Sequence, residues 1–322
     1  MKILSPANSV DGIPELCEHG ARELYVGFCD ETWQRDFGKY SGINRMSSFG
    51  SAANPYTLEQ LRSVIETAHR NGAAIFVTLN AESYTSAMED RICGYLARLK
   101  EMNADGIIVS GLRMARLAME HGLQAVASTM CGVYNSDIAS CYIREGVKRM
   151  ILPRDLSLSE MEDICKCAPE AEYEAFLMRS GCKFADSYCL GFHRDEYGAL
   201  CQNLRKSDAF IRSSGLSFRD RQQALLNEAL YNSLFSSSDA CGLCALYRLC
   251  KMGISACKIV GRAERRDKIL GDIDLVRTNL DIASRCSDEE EYLARMVFPE
   301  KKDRICFAGK SCYYPEVRFC DL

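Results

Sequence analysis

The stretch LEQLRSVIETAHRNGAAIFVTLN, residues 58–80, decides the fold. Leu58, Leu61, Val64, Ile65 and Ala68 recur every three or four positions and mark one buried face of a helix. Gly72 supplies a stop, and AAIFVTL then runs apolar without alternation, as a strand covered on both faces does. A polar Asn80 closes the unit. Helix, glycine and fully buried strand is the repeating element of a parallel α/β sheet.

The same unit recurs on both sides. KILSP leads into a helix from about Val10 to His19, and ELYVG is followed by a long loop through Ser51. Downstream come RICGYLARLKEMNADG, GIIVS, LRMARLAMEHG, QAVAS, SDIASCYIREG, RMILP, SLSEMEDICK and EYEAFLM, then a long excursion, then LCALYRLCKMG and ACKIVG. Strands are predicted near residues 2–5, 23–27, 74–79, 106–109, 124–128, 149–152, 173–178 and 256–260. Eight buried strands with helical crossovers predict a closed α/β barrel of the TIM-like (β/α)8 type. A doubly wound open sheet is the runner-up, but no G-x-G-x-x-G follows a strand. The predicted organisation is a barrel over residues 1–275, with a cysteine-rich insertion at 179–241 after strand 7. Residues 276–322, which include the charged SDEEEYLARM, form a C-terminal helix and tail packed on it.

Composition narrows the function. The 322 residues are 47% hydrophobic and 26% charged, which fits a globular chain and excludes wholesale disorder. Forty basic against 44 acidic side chains give a net charge of -4, so no overall field draws the protein to nucleic acid. The apolar run in MKILSPANSV is too short for a signal-peptide core, and no run approaches the roughly 20 residues that cross a bilayer. The expectation is a cytoplasmic protein with no membrane partner. In that reducing setting 18 cysteines point to metal binding, redox chemistry or packing, not to disulfides. Cys17, Cys29, Cys93, Cys131 and Cys141 lie in amphipathic segments and read as packing residues.

In a barrel of this kind ligands bind where strands end. Those ends carry Ser5, Gly27, Asn80, Ser110, Ser128, Thr129, Arg154, Arg179 and Arg262. Three arginines at one mouth predict an anionic small-molecule ligand, because guanidinium pairs carboxylates bidentately.

The seventh strand runs at that mouth into RSGCKFADSYCLGFHRDEYGALC, residues 179–201. Cys182, Cys189 and Cys201 therefore fall on the functional face, and Cys241 in SDACGLC returns at the end of the same excursion. Four thiolates match a tetrahedral zinc or an iron–sulfur cluster. The spacing lacks the close pairs of structural zinc, except for Cys241 with Cys244, and an absence of metal also stays open. Cys165 and Cys167 form a weak C-x-C pair. Cys244, Cys250, Cys257, Cys306, Cys312 and Cys320 make a second group, read as buried or free thiols with a second metal centre as the alternative.

EAFLMRSGCKFADSYCLGFHRDEYGALC resembles the core of the peptidase U32 family. Glu174, Phe176, Cys182, Cys189, Arg194, Asp195 and Cys201 fall at its characteristic places. The likeness includes LSPANS, HGARELYVG, VTLN, LPRDLSLSE, DAC and GISACKIVGR, and covers about residues 1–275. The resemblance implies a (β/α)8-like barrel and an oxygen-sensitive [4Fe-4S] cluster on Cys182, Cys189, Cys201 and Cys241. It also implies oxygen-independent hydroxylation of RNA bases or a quinone precursor, with prephenate implicated as oxygen donor, and pairing with a U32 paralogue in some members. Other members have been called collagenases. Two positions depart from the family. Arg179-Ser180 replace His-Gly, and Val260 replaces the Glu of Lys-Ile-Glu-Gly-Arg.

A cluster with four protein thiolates has no open iron site, which favours electron transfer or a structural role. Arg179, Lys183, His193 and Arg194 are placed to stabilise its charge, and Arg154, Arg179, His193 and Arg262 are the candidate catalytic residues. The reading is an iron–sulfur oxidoreductase or hydroxylase of anaerobic type. The alternatives are a non-catalytic cluster-bearing partner subunit and a peptidase. The chain lacks His-Glu-x-x-His and G-x-S-x-G, and its four histidines are at 19, 69, 121 and 193. An RNA surface has one candidate, Arg205, Lys206, Arg212, Arg219 and Arg221 interleaved with Phe210 and Phe218.

Overall fold

Eight parallel strands close on themselves in the order β1-β10-β9-β8-β7-β6-β5-β2, and β2 returns to β1. The computed structural model describes residues 1–182, 185–188, 217, 219–220, 222–223, 239–300, 306 and 312–317. The barrel strands are β1 (Lys2–Pro6), β2 (Glu23–Val26), β5 (Ala74–Leu79), β6 (Gly106–Val109), β7 (Ala125–Ala127), β8 (Arg149–Ile151), β9 (Glu172–Met178) and β10 (Ala256–Ile259). Each lies within one residue of its expected bounds. The described helices are α1 (Ile13–His19), α2 (Glu31–Phe37), α3 (Leu61–Arg70), α4 (Ser86–Glu101), α5 (Leu112–Glu120), α6 (Ser136–Arg144), α7 (Leu158–Cys167), α8 (Leu246–Lys251), α9 (Arg266–Ala283) and α10 (Glu289–Arg295). The five predicted face residues are all buried, Leu58 just ahead of α3 and the other four within it, so the periodicity that named the helix is its packing surface.

The long loop after β2 has structure of its own. Within it β3 (Phe28–Cys29) pairs in parallel with β4 (Tyr56–Thr57). Asp30 caps α2, accepting from Thr32 N at 2.7 Å, and the buried Trp33 donates through Nε1 to Ser41 O at 2.9 Å. Two-residue strands carry no readable period, which is why the sequence shows only a loop here.

The barrel floor holds charge where such barrels usually hold branched apolar side chains. Arg149, at the start of β8, donates to Glu174 Oε1 at 2.8 Å and to Glu23 Oε1 at 2.9 Å. Lys2 also reaches Glu23, at 2.9 Å, and Lys258 reaches Glu174 Oε2 at 3.3 Å. Arg149 lies over the Phe76 ring and Lys258 over the Tyr25 ring, at 4.9 and 4.2 Å from their centroids. Buried ions are tolerated only when paired in this way. Burial disfavours the Glu23 carboxylate, but Arg149 and Lys2 outweigh it and hold its pKa below the usual range.

The C-terminal part returns to the rim of the barrel. Helix α9 runs unbroken through position 275 and packs on α1 and β1. Cys312 forms a parallel bridge with Cys241, and Tyr313 N donates to Cys241 O at 2.9 Å. Tyr314 donates through its hydroxyl to Phe176 O at 2.7 Å, and Glu316 accepts from Leu158 N, at the start of α7, at 2.6 Å. No helix among the described residues is long and apolar enough to cross a membrane.

Candidate functional site at the barrel mouth

Arg262 follows β10 by three residues, and its side chain is buried. Nη1 donates to Asn54 Oδ1 at 3.2 Å and Thr78 Oγ1 at 3.0 Å, and Nη2 donates to Asn44 Oδ1 at 3.1 Å. All three acceptors are neutral, and no ion pair joins Arg262 to a carboxylate among the described residues. Burial pushes its pKa down to about 10, with the Arg45 charge adding to the effect, so it remains protonated at neutral pH. A buried cation held by dipoles alone is a poised anion receptor.

Arg154 follows β8 by three residues. Its guanidinium lies 4.0 Å from the Phe176 ring centroid and pairs with the buried Asp186. Burial opposes the Arg154 charge, yet Asp186, Tyr313 and Cys182 outweigh it and hold its pKa above the ordinary value. Its buried Nε makes no hydrogen bond among the described residues. Asp186 also meets Arg45 at 2.5 Å, and the two arginines hold its pKa low against the effect of burial. Tyr25 sits beneath both groups. Burial pushes it up to about 12, against the fields of Arg262 and Arg154. Tyr313 completes the wall, its ring stacked on Phe176 at 6.0 Å and its hydroxyl donating to Arg179 O.

Arg179, the third expected arginine, points elsewhere. Its guanidinium pairs with Asp272 on α9, and Nη1 reaches Asp239 at 3.2 Å. Burial outweighs the Arg179 charge at Asp272 and pushes that carboxyl up to about 6. Arg179 and Ser180 have φ of 62° and 49°, the left-handed region that favours glycine. Ser180 thus holds, without being a glycine, a backbone shape that favours one.

Of the four expected thiol ligands, Cys182 and Cys241 are described, whereas Cys189 and Cys201 lie outside the described residues, as does His193. The antiparallel bridge from Cys241 to Met178 places Cys241 at the end of β9, the strand that leads into Cys182. Cys182 lies in the field of Arg154. Cys241 lies in the field of Cys244, Cys312 and Cys306, and burial pushes its thiol pKa well up. The expected RNA stretch also falls outside the described residues apart from Arg219, which is exposed.

The other histidines sit on the opposite face, near the C-terminal ends of helices. His19 meets Asp274 and His69 meets Asp105, each at 2.8 Å, while His121 Nδ1 lies 2.8 Å from Leu117 O. None of the three is paired with a cysteine among the described residues. Arg45, Asn44, Asn54, Asp186 and Tyr313 were not singled out from the sequence. The only signal for the first three was the length of the loop that carries them.

Geometry therefore defines a TIM-like barrel with a cationic, aromatic-walled mouth and cysteines at the end of its β9 strand. The chain belongs to peptidase family U32, whose profile matches residues 8–306. It is 26% identical to an uncharacterized protease of Methanocaldococcus jannaschii over 87% of this chain and 65% of that one. It is 24% identical to tRNA hydroxylation protein P1 of Bacillus subtilis over 94% of this chain and 68% of that one. A 23S rRNA 5-hydroxycytidine synthase of Escherichia coli is 26% identical over 60% of this chain and 26% of its own length. The chain thus spans about two thirds or less of the length of these relatives. A solved U32 peptidase structure aligns over 62% of this chain and 76% of its own, with 13% identity and a TM-score of 0.43.

Proposed function

We propose that this chain is an iron–sulfur protein that supports oxygen-independent hydroxylation of an RNA base or a small molecule, with a small anion bound at the barrel mouth. The observation that carries the anion site is Arg262, a buried cation whose three bonded partners are all neutral oxygens. Arg154 adds an unused buried donor, and relatives named for tRNA and rRNA hydroxylation support the reaction class.

Cys182, Cys189, Cys201 and Cys241 would hold a [4Fe-4S] cluster. The two described members fit that role in that both belong to the end of β9, and Arg154 supplies a cation beside Cys182. When bound, the cluster supplies one-electron chemistry. The residues of the mouth bind and orient: Arg262 and Arg154 grip carboxylates, the stacked pair of Tyr313 and Phe176 walls one side, and Asp186 fixes Arg154 and Arg45. A dicarboxylate would meet both guanidiniums away from bulk water, which strengthens each contact.

Two measurements test the reading. Anaerobically purified protein is expected to contain iron and sulfide, both lost in Cys182→Ala and Cys189→Ala. Prephenate, the probe for the anion site, is expected to bind at least about tenfold more weakly to Arg262→Gln, the cost of a charged hydrogen bond. Iron-free protein, or unchanged affinity in the variant, would refute the respective half.

A second reading, a non-catalytic partner for a U32 paralogue, is favoured by Arg179. Where the family has His, this chain has a guanidinium occupied by Asp272 and Asp239. Hydroxylation by the isolated chain would exclude it, and activity only after addition of a paralogue would support it.

A further inference from the structure

The loop after β2 and the loop after β5 enclose a cavity of about 330 Å3, counted out to its solvent-open side. It lies beside the mouth and shares two residues with it. Asn44 lines the cavity and accepts from Arg262 Nη2 at 3.1 Å, and Arg45 lines it while its guanidinium meets Asp186 at 2.5 Å. Hydrogen bonds stitch the two loops into one wall. Ser41 Oγ donates to Ser83 O at 2.5 Å. The Tyr84 hydroxyl donates to Ile43 O at 2.6 Å and accepts from Ala81 N at 2.9 Å. Gly42 permits the close approach of Ser47, since a Cβ there would stand 2.6 Å from Ser47 Cβ.

The lining suits a ligand that carries hydroxyls and a flat ring. Among the described lining residues Ala81 has the only aliphatic side chain, so the cavity offers little to an apolar tail. Glu82 supplies two carboxyl oxygens, the acceptors that paired ribose hydroxyls require. Tyr40, at the rim, is 63% exposed, and its uncovered ring is a platform on which a base can stack. We propose that this cavity holds one ribonucleoside of a single-stranded RNA, its base on Tyr40 and its 2′-hydroxyl on Glu82, so that Glu82 selects RNA over DNA. The inference rests on the reading of the mouth as a hydroxylation site, and it narrows the substrate there to an RNA base. A nucleotide splayed out in this way lies against Asn44 and Arg45, which join the cavity to Arg262 and Asp186.

Fluorescence anisotropy tests this with two labelled, unstructured strands of the same mixed sequence, an oligoribonucleotide and its deoxy counterpart, titrated with the full chain purified anaerobically. Wild type is expected to bind the RNA strand at least about tenfold more tightly, the value of one hydrogen bond to a charged group. Glu82→Ala should erase that preference and leave the DNA affinity as it is. Tyr40→Ala should weaken both strands about tenfold and Tyr40→Phe neither, because the ring alone stacks. Equal affinity of wild type for the two strands, or a preference that survives Glu82→Ala, overturns the proposal. So does an RNA affinity that Tyr40→Ala leaves unchanged. If Glu82→Ala fails to fold, Glu82→Gln takes its place: a narrowed preference supports the assignment, and an undiminished one overturns it. Iron content and prephenate affinity of the wild-type chain report on the proposed function separately. Their loss beside an intact RNA preference would overturn that reading and leave the ribonucleoside site standing.

Discussion

A Cβ on Gly27 would stand 2.1 Å from Arg262 Nη1 and 2.2 Å from Asn54 Oδ1. The glycine at the end of β2 and the guanidinium after β10 thus share one space at the mouth. Gly27 is not in the left-handed region, so it is needed for room and not for backbone freedom. Gly27→Ala is expected to displace Arg262 and weaken prephenate binding by about 10–100-fold, the cost of losing a charged hydrogen bond. Calorimetric titration checks this, and unchanged affinity would remove Arg262 from the site.

Removing Arg149 would strand Glu23 and Glu174 in the barrel floor without their shared cation. Arg149→Met is expected to cost about 3–5 kcal/mol, as breaking one partner of a buried pair does. Lys2→Met, whose side chain is 58% exposed, should stay within about 1 kcal/mol. Urea unfolding of the two variants compares them directly. Equal losses would mean that the floor network does not anchor the barrel.

Asp186 links acidity to stability. Its carboxyl is held below the unfolded value, so its ion pairs stabilise the fold above about pH 4, the ordinary Asp range. That contribution is lost as pH falls through the lower folded value. Asp186→Asn leaves two buried guanidiniums facing a neutral amide, and a loss of about 3 kcal/mol at neutral pH is expected. The difference between wild type and variant should shrink on acidification below pH 4. A difference that stays constant with pH would show that Asp186 acts through packing.

Tyr314 fastens the C-terminal segment. Tyr314→Phe removes only the bond to Phe176 O and should cost about 1 kcal/mol, whereas Tyr314→Ala opens a cavity worth about 3–5 kcal/mol. Limited proteolysis is expected to cut near residue 312 faster in the alanine variant. Identical cleavage of all three forms would mean that the segment is held elsewhere.

Much of this molecule is legible without coordinates, for reasons visible in particular residues. Ile75, Phe76, Val77 and Leu79 are apolar, with only the buried Thr78 between them, because helices cover one face of β5 and the barrel interior the other. Arg154 and Arg262 could be placed because a strand end in such a barrel has one address. Arg45, Asn54 and Asp186 could not, because Arg45 and Asn54 are placed by a loop whose shape comes from β3, β4 and the Trp33 anchor, and Asp186 joins the site by pairing with Arg45. The charged floor was hidden too. Glu23 and Arg149 sit at strand starts and Glu174 two residues into β9, where sequence alone does not distinguish a solvated side chain from one facing inward. The tail thiols were visible as residues, but their partner was not. The bridge between Cys312 and Cys241 joins positions 71 residues apart, a pairing that no local spacing encodes.

Residues 306 and 312–317 leave the ribosome after every barrel strand, yet they supply Tyr313 to the mouth and cover Cys241. A nascent chain can therefore close its barrel while the mouth still lacks a wall and its thiols remain open to oxidants. Completion of the mouth therefore follows synthesis of the last barrel strand.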